Sequence, residues 1–250
     1  MAVTETEAIV IRSYNLAEAD KIVVCLTRAH GLVRAVAKGS RKLKNRFGAA
    51  LEPFTLLNLT YYQKENQELA SMSQAEILKS RFNVSQDLDV LTGLAYMGDL
   101  VVEFSPPHQP NDKLFRMVNA CLEAVAASPS DLPLIIRYFE VWILRLEGFL
   151  PDLRCCSDCQ RPLKGETGIS LSRELGLLCR GCAQGKGEVL SSLAYSRLCA
   201  TQSLSPTVFV QDSKGLSNAI HVELAELMHR MIGRVLERKP RIQLAMNPGR

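Results

Sequence analysis

Four cysteines form two C-x-x-C pairs in the second half of the chain. Cys156 and Cys159 make the first pair, Cys179 and Cys182 make the second, and nineteen residues lie between the pairs. Two intervening residues allow each pair to turn back and direct both thiolates at one tetrahedral ion. The spacing therefore predicts one structural Zn²⁺ per chain.

Other uses of these cysteines are less well supported by their surroundings. Two redox disulfides are an alternative, but neither pair lies in a thioredoxin-like βαβ context. A catalytic zinc needs an open coordination position, and four thiolates leave none. Cys155 directly precedes Cys156 and leaves the first ligand open, although the two-residue spacing favours Cys156. The segment between the pairs is short and polar, so we expect the metal to supply its folding free energy, roughly 10–16 kcal/mol in small zinc peptides.

A second group of residues suggests binding of a polyanion. The net charge is +4, yet residues 21–51 contain eight Lys or Arg and no acid, so that the remainder sums to −4. Positive charge concentrated on an otherwise mildly acidic protein is typical of a nucleic-acid site. A solvated lysine-rich loop is the alternative, and the absence of acids disfavours it. The cations predicted to contact nucleic acid are Arg34, Lys38, Arg41, Lys42, Lys44 and Arg46.

Short strands must position these cations. Alternating, β-branched segments predict five strands within the first 80 residues, which suffice for a small closed barrel. A barrel with a basic loop and nearby aromatic rings suits single-stranded nucleic acid, because cations track phosphates and rings stack on bases. We predict Phe47, Tyr61 and Tyr62 as the stacking residues. The predicted strands are Glu7–Tyr14, Lys21–Arg28, Leu32–Ala37, Phe54–Tyr62 and Leu69–Ile77.

Helical periodicity replaces alternation after residue 79. The segment 134–147 is apolar almost all round and is therefore expected in the centre of a domain. The fold class is α+β and multidomain: a barrel at 1–79, one helical domain formed by 80–153 and 187–240, a zinc insert at 154–186 and a tail at 241–250. The predicted helices are 87–104, 112–127, 134–147, 193–204 and 216–238.

No class of enzyme is supported. The chain contains neither a P-loop nor a dinucleotide-binding glycine motif, and its carboxylates form no catalytic cluster. The start lacks the pattern of a signal peptide, and no apolar run has the length of a membrane span, so we expect a reduced, cytoplasmic protein without membrane contact. The four histidines, which form no ligand motif, are His30, His108, His221 and His229.

Several N-terminal strings resemble a known family. The chain is similar to the RecO family of bacterial recombination mediators over most of its length, although only loosely over the last sixty residues. Before the second cysteine pair, the resemblance implies two glycines where this chain has Glu174-Leu175-Gly176. The strings that carry the resemblance are EAIVIR from Glu7, DKIV from Asp20, AVAKGSRK from Ala35, RFG from Arg46, LEPF from Leu51 and RYFE from Arg137.

The resemblance implies a fold and a set of partners. It implies an OB-fold barrel, binding of single- and double-stranded DNA, annealing of complementary strands without ATP, and nucleoid association. It further implies partnership with RecR, recognition of the acidic tail of the single-stranded-DNA-binding protein SSB, and indirect help in loading RecA. Arg137 matches the position that the family uses for the SSB tail, and arginine suits a terminal carboxylate. The alternative is an intrahelical pair with Glu140, worth about 0.2–0.5 kcal/mol.

Two other functions remain open from the residues alone. An OB-fold and zinc-knuckle protein could instead bind RNA in translation or transcription. A zinc-dependent nuclease or deacetylase would need a metal that holds water, and the sequence lacks ligands for such a metal.

Overall fold

Five strands at the start of the chain close into a barrel. They are β1 (Val3–Leu16), β2 (Asp20–Thr27), β3 (Gly31–Ala37), β4 (Leu56–Tyr62) and β5 (Ala70–Lys79). Their order is β1-β2-β3-β5-β4, with β4 pairing back to β1. Only β3 and β5 run parallel. This computed structural model describes residues 3–63, 67–82, 87–185 and 187–236, and it confirms the OB-like barrel.

The barrel core follows from strand alternation. Successive side chains point to opposite faces, so that the inward positions of β4, which are Leu57, Leu59 and Tyr61, are all buried. The fourth strand starts two residues later than predicted, because Phe54 has a backbone φ of +67°, a left-handed conformation that a strand does not accommodate.

Two helices pack on the barrel. The first, α1 (Leu88–Phe104), starts at Asp87, whose side chain accepts hydrogen bonds from the amides of Asp89 and Val90. Gly98 allows this helix to approach β1, since a β-carbon there would lie 3.2 Å from Ile11 Cγ2. The second, α2 (Asp112–Ala127), supplies Glu123 to the buried Arg81 at 2.5 Å. Barrel, α1 and α2 form the first compact unit of the chain, residues 1–126.

The second compact unit, residues 127–250, is organised around one buried helix. This helix, α3 (Leu132–Leu146), follows a 3₁₀ turn at Pro129–Asp131. Its Trp142 donates from Nε1 to the carbonyl of Thr201 at 2.8 Å, and its Tyr138 donates to the carbonyl of Leu204 at 3.0 Å. The nearly all-apolar sequence of α3 therefore predicted its central position correctly.

Three further helices complete this unit, and one of them was not predicted. They are α5 (Ser192–Ala200), α6 (Pro206–Ser213) and α7 (Asn218–Val235). The predicted helix 193–204 thus ends earlier, and a separate α6 follows. Residues 237–238 of the predicted last helix, and the tail at 241–250, lie outside the described residues. Among the helices described, none has both the length and the apolar character needed to cross a bilayer.

The cysteine-rich segment contains a small sheet as well as the short helix α4 (Arg180–Ala183). Its strands are β6 (Ile169–Leu171), β7 (Leu177–Leu178) and β8 (Glu188–Leu190), in the order β7-β6-β8. Although the segment between the cysteine pairs is short and polar, single apolar residues between the polar ones converge in the fold and form a small buried core. The buried residues are Leu153, Leu163, Ile169, Leu171, Leu177 and Leu190.

Candidate nucleic-acid interface and metal centre

The structure brings the four predicted cysteines together. The sulfur atoms of Cys156, Cys159, Cys179 and Cys182 all lie within 4.8 Å of one another. The Cys159 and Cys179 sulfurs are 3.8 Å apart, which matches the roughly 3.8 Å edge of a tetrahedron with metal–sulfur distances of about 2.3 Å. The residues present therefore fit one tetrahedral metal ion.

Backbone geometry explains how each pair converges. In the first knuckle, the Gln160 amide donates to the Cys156 carbonyl at 3.0 Å, and Gln160 itself has a φ of +59°. In the second, Cys179 caps α4, and the Cys182 amide donates back to the Cys179 carbonyl at 3.1 Å. Each turn places the second cysteine of its pair beside the first.

Hydrogen bonds at the first ligand favour its ionised form. Burial opposes ionisation of Cys156, but backbone amides of Cys159, Cys179 and Asp158 donate towards its sulfur and lower its pKa to about 6. The thiolate is the form that binds metal. Cys155 lies outside the cluster, pairs with Pro162 through a β-bridge and lines a separate cavity. The structure thus places Cys156 rather than Cys155 at the metal centre.

The turn before the second knuckle bears the departure from the family pattern. Leu175, within the segment 174–176 for which two glycines were expected, has a φ of +65°, which is costly for a leucine. At Gly176 an added β-carbon would lie 2.6 Å from Ser157 Oγ and 2.9 Å from Ser157 Cβ, so that Ser157 would have to shift. The chain keeps the turn and accepts strain at one residue.

The six predicted cations form an exposed set on the barrel, which we call the basic cluster. Arg34 lies on the outward face of β3, between the buried residues Val33 and Ala35, and the exposed Lys38 directly follows the end of that strand. Arg41, Lys42, Lys44 and Arg46 follow in the loop 38–46. Within the described part of the chain, none of the six takes part in an ion pair.

Arg28 provides the contrast. It belongs to the same acid-free stretch of sequence, but it binds Glu7 at 2.6 Å and Asp112 at 2.8 Å. These carboxylates accept hydrogen bonds from the guanidinium and raise the pKa of Arg28. Its charge is therefore neutralised within the protein, in contrast to the six residues of the basic cluster.

The predicted stacking residues are partly wrong. Phe47 is 3% exposed and Tyr61 is 4% exposed, and both belong to the barrel core. Phe47 instead supports the loop from below, with the Arg46 guanidinium 4.9 Å from its ring centre. Tyr62, half-buried at the end of β4, keeps an outward position.

Arg137 is in contact with Glu140 and also lines a cavity. Its Nη1 lies 3.1 Å from Glu140 Oε2, with side-chain exposures of 11% for Arg137 and 1% for Glu140. The pair predicted as an alternative therefore exists, but it is far more buried than a surface pair. The cavity has a volume of about 210 Å³ and is lined by Ser130, Asp131, Pro133, Leu134, Arg137, Lys214, Asn218, His221 and Ala225.

The lining of this cavity combines cations with an apolar wall. Lys214 binds Asp131 at 2.9 Å. Burial raises the pKa of Asp131, but hydrogen bonds from Lys214 and Ser128 outweigh that effect and lower it. Pro133, Leu134 and Ala225 supply apolar surface. Arg137 was predicted from the sequence, whereas Lys214 was not, because Lys214 lies between two predicted helices and belongs to no recognisable motif.

Comparisons with known proteins agree with this architecture. Residues 1–81 match the family model Recombination protein O N terminal, and residues 85–241 match Recombination protein O C terminal. A protein named DNA repair protein RecO from Desulforamulus reducens is 31% identical over 96% of this chain and 92% of its own length. The chain belongs to the RecO family.

Two further proteins named DNA repair protein RecO are similar to this chain over a smaller part of its length. The Anaeromyxobacter sp. (strain K) protein is 35% identical over 77% of this chain and 75% of its own length. The Koribacter versatilis protein is 37% identical over 64% of each chain. The two RecO family models meet between residues 81 and 85, close to the end of the barrel, whereas the compact units divide after α2.

Proposed function

We propose that this RecO family member is a non-enzymatic, DNA-binding recombination mediator in DNA repair. The single observation that supports it most is the basic cluster, six exposed cations without an ion-pair partner among the described residues. Exposed cations left unpaired by the protein are available to phosphates, and each phosphate neutralised releases counterions. The barrel supplies a rigid base for them, as in other OB-folds that bind single strands.

Annealing requires a protein that holds single strands without reading their sequence. Contacts to phosphates are independent of sequence, and the basic cluster consists of Lys and Arg on one strand and one loop. We propose that it binds single- and double-stranded DNA and brings complementary strands together without ATP. The same contacts would bind single-stranded and double-stranded DNA, because both present a continuous row of phosphates.

The metal centre is proposed to hold Zn²⁺ in a structural role. Four cysteine sulfurs at tetrahedral spacing are the donor set that zinc prefers in closed sites. Bound zinc supplies a crosslink between the two knuckles and no open position for chemistry. Buried apolar residues of the small sheet share the stabilisation of this segment.

The cavity beside Arg137 is proposed to receive the carboxy-terminal tail of SSB. An apolar carboxy-terminal side chain would lie against Pro133 and Leu134, and its carboxylate would meet the guanidinium. One Arg137 nitrogen is engaged by Glu140, and a guanidinium has five N–H donors in total. Lys214 also lines the cavity, but its charge is balanced by Asp131 at 2.9 Å, so that Arg137 is the residue proposed to hold the tail carboxylate.

Further parts of the proposal rest on family membership. We propose that the protein acts in the cytoplasm, at the nucleoid, with RecR, and helps RecA load onto SSB-covered single strands. None of these steps requires a nucleotide bound to this chain.

Annealing of complementary oligonucleotides in the absence of ATP tests the proposal. The full-length protein is expected to accelerate annealing of DNA strands, with or without prior coating by SSB. A protein that accelerates only RNA annealing, or binds RNA in strong preference to DNA, would instead be an RNA-binding factor. No acceleration of either would contradict the proposed function.

A further inference from the structure

The loop of the basic cluster is held in a defined shape. At its start, the Gly39 amide donates to Asp20 Oδ1 at 2.8 Å, and the Arg41 amide donates to the Ala19 carbonyl at 3.0 Å. Arg41 Nη1 also donates to the Ala17 carbonyl at 2.8 Å. The turn between β1 and β2 therefore fixes the first half of the loop.

Asn45 fixes the second half. Its Oδ1 accepts from the amides of Phe47 at 3.0 Å and Gly48 at 2.8 Å, and its Nδ2 donates to the Lys42 carbonyl at 3.2 Å. Phe47 then enters the barrel core. Both halves of the loop are anchored, and the three exposed residues between the anchors, Lys42, Leu43 and Lys44, form the tip of the loop.

Leu43 at this tip has a relative exposure of 106%, the highest of the large hydrophobic side chains that the structure describes. The next highest is Leu88 at 75%. Burying a leucine side chain stabilises a protein, yet Leu43 is exposed and has a cation on each side in the sequence. Isolated exposed leucines are common on protein surfaces, but this one lies on an anchored loop between two cations.

We propose that Leu43 inserts between neighbouring bases of a bound single strand and unstacks them. The Cα atoms of Lys42 and Lys44 are at most about 7 Å apart. This spacing lets each lysine approach one of two successive phosphates. Leu43 between them would then lie close to the nucleotides that those phosphates connect, within reach of their bases. Apolar wedges of this kind separate base steps in other DNA-binding proteins. The inference rests on the proposed function, since it needs the loop to contact DNA.

Insertion would give the annealing activity a physical basis. Stacked bases in a single strand hide part of their surface, and a strand with separated bases offers them to a complementary strand. Anchoring the loop before DNA arrives reduces the entropy lost on binding. The tip is thus a positioning device for bases, while the cations supply affinity.

Fluorescence of 2-aminopurine inside a short single strand tests the insertion, because unstacking raises its emission. Saturating wild-type protein is expected to raise the emission, and Leu43→Ala to lose at least half of that rise. Leu43→Ala is also expected to weaken binding by about 3- to 10-fold, because the gain from burial is partly offset by unstacking. Its dependence on salt should not change, because no charge is removed. Leu43→Met, which keeps apolar volume, should preserve the rise.

Two controls separate this inference from the proposed function. For Lys44→Ala, the slope of log DNA affinity against log salt concentration is expected to become less negative by about 0.7. The fluorescence rise at saturation is expected to remain. Leu88→Ala removes another exposed leucine and is expected to change neither the salt dependence of binding nor the fluorescence rise. A full fluorescence rise with Leu43→Ala at saturation, or no rise with wild type, overturns the insertion even if annealing and salt dependence behave as proposed.

Discussion

Replacement of Arg137 by alanine is expected to have two separable effects, one on stability and one on tail binding. Glu140 is 1% exposed, and its carboxylate lies 3.1 Å from the guanidinium of Arg137. Removing one partner of a buried pair costs about 3–5 kcal/mol. For a protein of this size, 3 kcal/mol corresponds to a fall in Tm of about 6–12 °C. The variant therefore reports on both fold and site.

A second substitution isolates the binding effect. Glu140→Gln in the Arg137→Ala background removes the uncompensated charge and is expected to recover part of the lost Tm. Tail affinity should stay low in the double variant, because the carboxylate of the tail still lacks its guanidinium. Loss of a charge-assisted hydrogen bond of about 1.5–3 kcal/mol corresponds to about 10- to 150-fold weaker binding.

Thermal unfolding and titration with a labelled SSB-tail peptide measure these effects. Arg145→Ala is a matched control on the same helix, because Arg145 lies over Trp142 and outside the cavity lining. An unchanged Tm for Arg137→Ala would refute the assigned energy of the buried pair. Equal tail affinity for wild type and the double variant would refute the tail site, whatever the Tm.

Three further predictions concern the metal centre, the acid response and a strained turn. Cys182→Ser is expected to lose zinc in metal analysis and Cys155→Ser to keep it; the reverse pattern would contradict the ligand set. Burial raises the pKa of Glu123, but hydrogen bonds from Lys79 and Arg81 outweigh this and lower it. The ionised Glu123 therefore stabilises the fold above about pH 4.5, and this contribution is lost as the pH falls through the lowered pKa. In urea unfolding below pH 5, Glu123→Gln should lose less stability with falling pH than the wild type does. Parallel curves of unfolding free energy against pH for the two proteins would contradict this. Leu175→Gly should raise the free energy of unfolding by about 1 kcal/mol. A lower stability of this variant would show that the contacts of the leucine side chain outweigh the strain of its positive φ.

The sequence predicted best those features that depend on local periodicity. Strand alternation is visible within a few residues, which is why the five strands of the barrel were predicted. The same alternation, applied more strictly, would have placed Tyr61 in the core, because it shares a face with Leu57 and Leu59. The basic character of the loop drew attention to stacking and hid this simpler inference.

Features that depend on distant packing could not be predicted. The helix α6 has only eight residues, although Ser205 before Pro206 is a recognisable helix start. Burial of the Arg137–Glu140 pair depends on the tertiary surroundings of α3, which no local pattern encodes. The exposed position of Leu43 likewise follows from hydrogen bonds of Asp20, the first residue of β2, and Asn45, which follows β3 in the sequence.

The salt dependence of single-strand binding tests the central claim most directly. If all six cations of the basic cluster contact phosphates, log affinity should fall against log salt with a slope of about −4, at roughly −0.7 per contact. Replacing Arg41, Lys42 and Lys44 together by alanine should flatten the slope by about 2. The charge-matched control replaces three exposed cations of the cysteine-rich segment, which are Arg161, Lys164 and Arg173. It is expected to leave the slope unchanged. An unchanged slope in the loop variant, or equal flattening in both variants, would contradict the assignment of the DNA interface to this loop.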